Sequence, residues 1–305
     1  MSRQQSVNRQ QSLVFAIPMR TRFRGISVRE GMLLRGDAGW SEWSPFVEYD
    51  DAEAARWLRC AAEAGAGGWP SPVRDDVPLN VTVPAVDPAT ARRLVAESGR
   101  RTAKVKVAEP GQSLADDLAR VEAVRDALGP QGRLRVDANG AWDLDTALTS
   151  VPALDRAASG LEYAEQPCAS IEDLAALRRR VEVPIAADES IRRAEDPYRV
   201  RDLEAADVAV LKVQPLGGVA ACLRIAEDIG LPVVVSSALE SPVGLAAGFA
   251  LARALASLDY DCGLDTLALF AEVPLDADQM VARFQHPDTE RVAWWNRRLE
   301  RVSEL

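Results

Sequence analysis

The sequence of 305 residues has room for one α/β barrel with a small accessory domain, and 48% of its residues are hydrophobic, which permits a large buried core. Its net charge of -10 and pI near 4.9 argue against nucleic acid or an anionic membrane as a partner, because both would repel such a surface. We therefore expect a small-molecule substrate.

The N-terminal part of the chain predicts a small domain of its own. Residues 1–11 contain no apolar stretch, and they indicate a disordered leader rather than a signal peptide. A strand-like segment follows at Gly25–Leu34, then an aromatic patch at Trp40–Trp43 and a helix over Ala52–Ala64. The segment Gly65–Pro72, rich in glycine and proline, is predicted to be a linker.

Residues 78–275 alternate short β-branched segments with helical patterns, which is typical of repeated βα units around a parallel sheet. The candidate strands are Leu79–Val83, Ala103–Val107, Leu134–Ala138, Leu161–Glu165, Ile185–Ala187, Val208–Val213, Val233–Ser237 and Tyr260–Leu264. Helices are predicted to start after Asp87, Ser113 and Ser170, whose side chains suit N-cap positions. Seven or eight such units favour a TIM-like barrel over an open doubly wound sheet.

The tail, residues 276–305, is polar and aromatic and contains Trp294 and Trp295. We predict that it returns to pack on the N-terminal segment. The expected organisation is an α/β barrel over residues 78–275 with an α+β capping domain formed by residues 1–77 and the tail. The sequence does not indicate an oligomeric state.

The cysteines are scattered and form no C-x-x-C pair; they are Cys60, Cys168, Cys222 and Cys262. This distribution favours reduced thiols in a cytoplasmic protein. The longest apolar stretch, Pro242–Leu258, contains Arg253 and several small residues, so we interpret it as a buried helix rather than a membrane span.

Only one histidine is present, His286, in a polar segment near the C-terminus. A histidine-dependent catalytic triad or a zinc site built on a histidine cluster is therefore nearly excluded. Acid and base chemistry is left to Lys, Asp, Glu, Tyr or Cys.

Lysines lie at the ends of two predicted barrel strands, where TIM barrels place their catalytic groups. Lys104 and Lys106 alternate along the second strand, so both side chains should point into the barrel mouth. Lys212 ends the sixth strand, across the barrel from Lys106. A buried lysine is unfavourable unless it has a function.

Three carboxylates end the strands between those lysines: Asp137, Glu165 and Asp188. Such oxygens form a ligand set suited to magnesium or manganese rather than zinc, and without a cation they would repel one another. The arrangement favours removal of a proton next to a carboxylate. A metal ion would stabilise the resulting enediolate, and a lysine of lowered pKa would act as the base.

Each of these residues has a simpler interpretation when taken alone. A K-x-K pair is usually a solvated strand edge, and a lone carboxylate after a strand, such as Asp188, is commonly a helix cap. The combination favours an active site, because five ionisable positions fall in order on strands two to six of one expected rim.

Taken in order, the motifs at these strand ends resemble the muconate-lactonising-enzyme-like subgroup of the enolase superfamily. They are K-V-K at 104–106, D-A-N at 137–139, E-Q-P at 165–167, A-D-E-S at 187–190 and L-K at 211–212. The resemblance covers nearly the whole chain. It implies a modified TIM barrel, (β/α)7β, with a capping domain built from both termini that closes over the substrate.

The resemblance also implies roles for individual residues. The metal ligands would be Asp137, Glu165 and Asp188. The expected ion is Mg²⁺, with Mn²⁺ as an alternative. Lys106 and Lys212 would be the opposed catalytic lysines, and Lys104 and Asn139 would support the site.

Three features favour the members of the subgroup that form o-succinylbenzoate in menaquinone biosynthesis, by syn-dehydration of 2-succinyl-6-hydroxy-2,4-cyclohexadiene-1-carboxylate. The chain is short for the family, Arg135 precedes D-A-N, and S-S-A-L-E-S at 236–241 is followed by G-L-D-T at 263–266. Dipeptide epimerases resemble this pattern but carry an acidic residue where Gly263 stands. Ser236 and Gly263 would lie near the succinyl carboxylate, and Arg135 would bind substrate or support the site.

In that reaction Lys106 would remove the α-proton and, as the conjugate acid, protonate the departing hydroxyl on the same face. Lys212 would stay protonated or stack against the ring, stabilising the intermediate. Because this reaction breaks a carbon–oxygen bond by eliminating water, the enzyme would be a carbon–oxygen lyase.

Two alternatives remain open from the sequence. The first is an N-acylamino-acid racemase or dipeptide epimerase on the same scaffold, in which both lysines act as bases on opposite faces. The second is a non-catalytic barrel with a binding role, which would show neither metal-dependent stabilisation nor turnover of a carboxylate substrate.

Overall fold

The computed structural model describes residues 12–194 and 196–305. The predicted leader, residues 1–11, lies outside the described residues. Two sheets organise the rest of the chain: an antiparallel sheet of three strands near the N-terminus and a parallel sheet of eight strands.

The N-terminal sheet contains strands β1 (Ser12–Phe23), β2 (Ile26–Gly36) and β3 (Gly39–Trp43), in that order. Strand β1 was not predicted from the sequence, because Pro18 interrupts it and proline argues against a strand. The proline is accommodated because β1 lies at the edge of this sheet.

The predicted helix over Ala52–Ala64 is confirmed as α1 (Asp51–Ala66). It begins where the Asp50 side chain accepts a hydrogen bond of 2.7 Å from the backbone N–H of Glu53. One face of α1 is buried against the three-stranded sheet, with Trp57 among its buried residues.

The eight parallel strands form the barrel wall. They are β4 (Leu79–Val83), β5 (Thr102–Lys106), β6 (Arg133–Asp137), β7 (Tyr163–Glu165), β8 (Ile185–Ala187), β9 (Val208–Leu211), β10 (Val233–Val235) and β11 (Cys262–Asp265). They are hydrogen-bonded in the order β10-β9-β8-β7-β6-β5-β4-β11. A bridge between Ser236 and Gly263 joins the two outer strands and closes the barrel. The predicted (β/α)7β barrel with a cap is confirmed.

Helices connect the barrel strands and form the C-terminal tail. They are α2 (Pro88–Ser98), α3 (Leu114–Leu128), α4 (Leu144–Ala158), α5 (Ile171–Arg178), α6 (Glu189–Arg192), α7 (Arg199–Asp202), α8 (Val213–Leu216), α9 (Val219–Ile229), α10 (Pro242–Ala254), α11 (Ala277–Arg283) and α12 (Thr289–Val302). A short 3₁₀ helix covers Leu267–Leu269. The side chains of Asp87, Ser113 and Ser170 are N-caps, as predicted.

Several predicted strands were longer than the observed strands, and one of these differences bears on the site. We expected a strand over Val208–Val213, but β9 ends at Leu211 and α8 begins at Val213. Pro215 cannot donate to a parallel ladder, and the β-branched Val213 gives no periodic signal that separates a strand from a short helix. Lys212 is consequently the residue at which the chain leaves the barrel wall.

The tail packs on the N-terminal sheet. One buried apolar cluster contains residues of β1, β2, β3 and α1 together with Met280, Trp295 and Leu299 from the tail. The rings of Trp43 and Trp295 meet edge to face, with centroids 5.6 Å apart. The backbone N–H of His286 also donates to the carbonyl of Val14, at 2.9 Å. These contacts join the tail to the three-stranded sheet.

A partly buried ion pair joins the same two regions. Glu30 on β2 accepts hydrogen bonds from Arg291, at 2.5 Å, and contacts His286, at 2.8 Å. Burial opposes ionisation of Glu30, but Arg291 and His286 outweigh it and hold the pKa of this carboxyl below its ordinary value. The carboxylate therefore stabilises the fold above about pH 4.5, and this contribution is lost as the pH falls through the lowered pKa.

Replacing Glu30 with glutamine is expected to reduce the free energy of unfolding by about 1 kcal/mol at pH 7, and by progressively less below pH 4.5. Urea unfolding at a series of pH values measures the difference. Glu300→Gln changes an exposed carboxylate on α12 and serves as the control. Equal effects of Glu30→Gln at pH 7 and pH 4 would contradict the ion pair.

Other expectations concern cysteines and membranes. The side chains of all four cysteines are buried thiols. The first part of the stretch Pro242–Leu258 forms α10, which ends at Ala254. Among residues 12–194 and 196–305, no helix has the length and hydrophobicity needed to cross a bilayer.

Candidate active site

The charged residues singled out from the sequence meet at the carboxyl ends of the barrel strands. In the parallel ladder Lys106 on β5 is paired with Asp137 on β6, and Asp137 is paired with Glu165 on β7. Residues in register on neighbouring strands point to the same face of a sheet, and here that face is the barrel interior. Asp188 and Lys212 follow β8 and β9 directly.

Each carboxylate is fully buried and contacts an ammonium group. Lys104 Nζ lies 2.9 Å from Glu165 and 3.2 Å from Asp137 Oδ2. Lys106 Nζ lies 2.5 Å from Asp137 Oδ2, and Lys212 Nζ lies 2.6 Å from Asp188 Oδ2. The five predicted groups, with Lys104, therefore form one cluster of alternating charges.

Asp188 has two further partners that were not predicted. Its second oxygen, Oδ1, accepts a hydrogen bond from Arg192 Nε at 2.8 Å, and its backbone N–H donates to Gln166 Oε1 at 2.9 Å. The Asp188 side chain makes no capping hydrogen bond to α6, so it is not a simple helix cap. Arg192 also donates to the hydroxyl of Tyr49, which links this corner of the barrel to the N-terminal segment.

Asn139 holds the amine of Lys106 from the other side. Its Oδ1 accepts from Lys106 Nζ at 2.6 Å, and its Nδ2 donates to Glu189 Oε1 at 3.1 Å. Asn139 has a positive φ of 49°, a conformation that asparagine tolerates better than most residues. Asn139 thus contacts Lys106, as a supporting residue would, and its role stays a prediction, while Glu189 was not singled out from the sequence.

The two lysines of β5 differ in their electrostatic surroundings. Burial alone would lower the pKa of Lys104, but Glu165 and Asp137 outweigh it and hold that pKa well above its ordinary value. For Lys106 burial prevails and, helped by the charge of Lys104, lowers the pKa. Burial and the repulsion of Asp137 raise the pKa of Glu165 to about 7. Lys106 is therefore the β5 lysine better suited to release and accept a proton.

A pocket opens directly above these groups. Its lining includes Lys106, Lys212, Ser236, Gly263 and, from the cap, Phe23. A Cβ atom added at Gly263 would lie 2.6 Å from Ser236 Oγ, so a side chain there would displace the serine. This explains physically why glycine occupies the eighth strand beside Ser236.

Arg135 lies elsewhere. Its side chain fills the barrel one layer below the carboxylates, where Nη1 donates to Asn80 Oδ1 at 3.1 Å and to the carbonyl of Asp261 at 2.7 Å. It also pairs with Glu162 and stacks on Tyr163 at 4.7 Å. Arg135 does not line the pocket described above, so its placement favours a supporting role over contact with substrate.

The lysine content of the sequence is a signal that was missed. The chain contains 36 lysine and arginine residues, of which only three are lysines, and all three line this pocket. Arginine cannot be deprotonated in proteins, whereas lysine loses a proton readily when buried. Every lysine of this sequence thus lies at the carboxylate cluster.

The comparison with known protein families agrees with this geometry. The family described as enolase C-terminal domain-like matches residues 87–288, and the family described as enolase N-terminal domain-like matches residues 14–65. The chain belongs to the enolase superfamily. The relationship expected from the strand-end motifs is confirmed.

Relatives of high identity share one name. An o-succinylbenzoate synthase of Thermobifida fusca is 70% identical over 255 residues, covering 84% of this chain and 80% of the relative. The o-succinylbenzoate synthase of Mycolicibacterium smegmatis is 54% identical over 299 residues, which cover 92% of each chain. That of Mycobacterium tuberculosis is 53% identical over 309 residues, covering 96% and 93%.

Solved structures of this superfamily share the fold at lower identity. A muconate lactonizing enzyme from Pseudomonas fluorescens, complexed with muconolactone, matches with a TM-score of 0.73 and 23% identity, covering 93% of this chain and 97% of that one. A dipeptide epimerase from Enterococcus faecalis, complexed with Mg and a dipeptide, matches with a TM-score of 0.71 and 21% identity, covering 87% and 91%.

Enolase-superfamily enzymes depend on a divalent metal ion, and the donor chemistry of this site fits one. Asp137, Glu165 and Asp188 offer buried hard oxygens, and burial and the neighbouring Asp137 raise the pKa of Glu165, an electrostatic cost that a bound cation would reduce. Within the described part of the chain, no three His, Cys, Asp or Glu side chains are already grouped as ligands. The ammonium groups lie between the carboxylates instead, so they would have to shift when a cation binds.

Proposed function

We infer that this chain is an o-succinylbenzoate synthase, a hydro-lyase that dehydrates 2-succinyl-6-hydroxy-2,4-cyclohexadiene-1-carboxylate. The observation that carries this inference is the 70% identity to the Thermobifida fusca synthase over most of both chains. The site supports it, because opposed lysines flank a carboxylate cluster beneath an accessible pocket.

Lys106 is proposed as the group that moves the proton. Its amine removes the hydrogen from the ring carbon that bears the carboxylate. The resulting ammonium then gives this proton to the hydroxyl group on the neighbouring carbon, so that water leaves and the ring becomes aromatic. One residue can serve both steps because the two groups leave from the same face. In this structure Asn139 and Asp137 accept hydrogen bonds from the amine at 2.6 and 2.5 Å.

Lys212 is proposed to act by charge from the opposite side of the pocket. Its ammonium group, paired with Asp188, would stabilise negative charge that develops on the ring and its carboxylate. A divalent cation held by Asp137, Glu165 and Asp188, proposed to be Mg²⁺ with Mn²⁺ as a substitute, would supply Lewis-acid stabilisation of that carboxylate. Lys104 stays protonated and balances the charge of Glu165.

The test is an assay of the purified chain with this substrate and MgCl₂, followed by the formation of the aromatic product. A second candidate activity, racemisation of N-succinylamino acids, is favoured by the placement of lysines on both sides of the pocket. Deuterium exchange at the α-carbon of such substrates measures it in parallel. Absence of dehydration at saturating magnesium would overturn the proposed function, whichever result the exchange experiment gives.

The proposal also concerns the setting of the enzyme. We propose a cytoplasmic location, supported by four buried thiols. The net charge of -10 argues against nucleic acid or an anionic membrane as the partner, and the cationic side chains of the pocket support a small carboxylate substrate.

A further inference from the structure

One cation in the active-site pocket has no anionic partner among the residues that the structure describes. The cationic side chains that line the pocket are Arg24, Lys104, Lys106, Arg192 and Lys212. The last four each lie within 2.9 Å of a carboxylate oxygen. Among residues 12–194 and 196–305, Arg24 has neither an ion pair nor a side-chain hydrogen bond, and its guanidinium instead lies 4.2 Å from the ring centroid of Phe46.

The backbone at Arg24 is also unusual. Phe23 pairs with Ile26, so Arg24 and Gly25 form a two-residue hairpin turn between β1 and β2. Both have positive φ, at 48° and 77°. Turns of this kind favour asparagine, aspartate or glycine at the first position, and a long side chain there is strained. A strained residue that no hydrogen bond or ion pair of the described residues holds, and that contacts an aromatic face instead, points to a function.

A second cation, Arg29, lies beside Arg24. Arg29 lies 4.5 Å from the same Phe46 ring, and it occupies the buried acceptors nearby, the carbonyls of Leu239 and Ser44. Two positive charges therefore share one aromatic ring. The charge of Arg29 therefore opposes the attraction of Arg24 to the ring, and an anion in the pocket would offset that repulsion.

We propose that Arg24 binds the carboxylate of the substrate's succinyl group and selects substrates that carry this second negative charge. This inference rests on the proposed function, which requires a substrate with two carboxylates. The ring carboxylate must lie near Lys106 and Lys212, where the reacting carbon is placed. The succinyl carboxylate extends away from that carbon, and Arg24 is the cation left to receive it. Ser236 can donate a hydrogen bond to it but carries no charge.

The test compares two inhibitors on wild type and Arg24→Met. One is the product, o-succinylbenzoate, and the other is 2-butanoylbenzoate, in which a methyl group replaces the succinyl carboxylate. Arg24→Met is expected to raise the inhibition constant of o-succinylbenzoate and the KM of the substrate by about 10- to 100-fold. The inhibition constant of 2-butanoylbenzoate and kcat should change less than about threefold, since Arg24 acts far from the reacting carbon.

Two control variants sharpen this comparison. Arg22→Met removes an exposed cation from the same hairpin, where Arg22 donates to the carbonyl of Gly25, and it should leave both inhibition constants unchanged. Arg24→Lys keeps the charge and should recover part of the lost affinity.

Equal weakening of both inhibitors by Arg24→Met, or no weakening of either, would overturn the proposal. Failure of the proposed function would be seen separately, as a wild-type protein that does not dehydrate the substrate. The two outcomes are therefore distinguishable.

Discussion

Replacing Lys106 with alanine is expected to lower kcat for dehydration by about 10⁴-fold while the protein remains folded. The effect is at the upper end for loss of an acid–base group, because the same amine is proposed both to take the proton and to return it. The fold should survive, since Lys104 also contacts Asp137, at 3.2 Å, and balances its charge. Steady-state kinetics and a thermal melt measure the two quantities.

Lys106→Arg is the matched variant for this experiment. It keeps a cation beside Asp137 but cannot release a proton at neutral pH, so it should be nearly as inactive as Lys106→Ala. The pair of variants separates proton transfer from charge. Normal turnover by Lys106→Ala would show that Lys106 is not the base, and high activity of Lys106→Arg would show that its charge alone matters.

Removal of divalent metal is expected to reduce turnover by at least about 10³-fold, because Lewis-acid stabilisation of a developing charge contributes several kcal/mol to the barrier. Dialysis against EDTA followed by addition of MgCl₂ or MnCl₂ should abolish and then restore activity. The cation should also stabilise the fold, by about 2.7 kcal/mol at a concentration one hundred times its Kd. A thermal shift on titration with magnesium measures this without an assay.

Asp188→Asn is expected to raise the magnesium concentration needed for half-maximal activity by at least about 10-fold. Asparagine keeps the shape but loses the charge that faces Lys212 and Arg192. Asp145→Asn, which changes an exposed residue in the first turn of α4, is the control and should behave like wild type. Unchanged magnesium dependence in Asp188→Asn would remove Asp188 from the proposed ligand set.

Much of the site could be predicted from sequence because barrel geometry is regular. Side chains alternate between the two faces of a strand, and parallel strands end on one rim, so charged residues at successive strand ends must meet. This geometry alone predicts that the side chains of Asp137, Glu165 and Lys106 lie close together. The predicted N-caps of α2, α3 and α5 are local signals of the same kind.

The parts that were missed depend on contacts between distant segments. Arg192 donates to the hydroxyl of Tyr49, which is 143 positions away in the sequence, and a local sequence pattern cannot predict such a pair. Strand β1 exists because β2 and the tail supply its partners, although Pro18 weakens its intrinsic preference. Arg24 could have been noticed from sequence only as an arginine before glycine, since its place in the pocket is set by how the cap docks on the barrel.

The restriction of lysine to the barrel mouth has a chemical consequence. Apart from the α-amino group, every primary amine of this sequence lies in one pocket, and each is at most 9% exposed. An acylating reagent that enters the pocket would therefore modify, besides the α-amino group, only amines of the reaction centre. Labelling beyond the α-amino group would measure the fraction of molecules whose pocket admits the reagent, and a bound product would reduce that labelling.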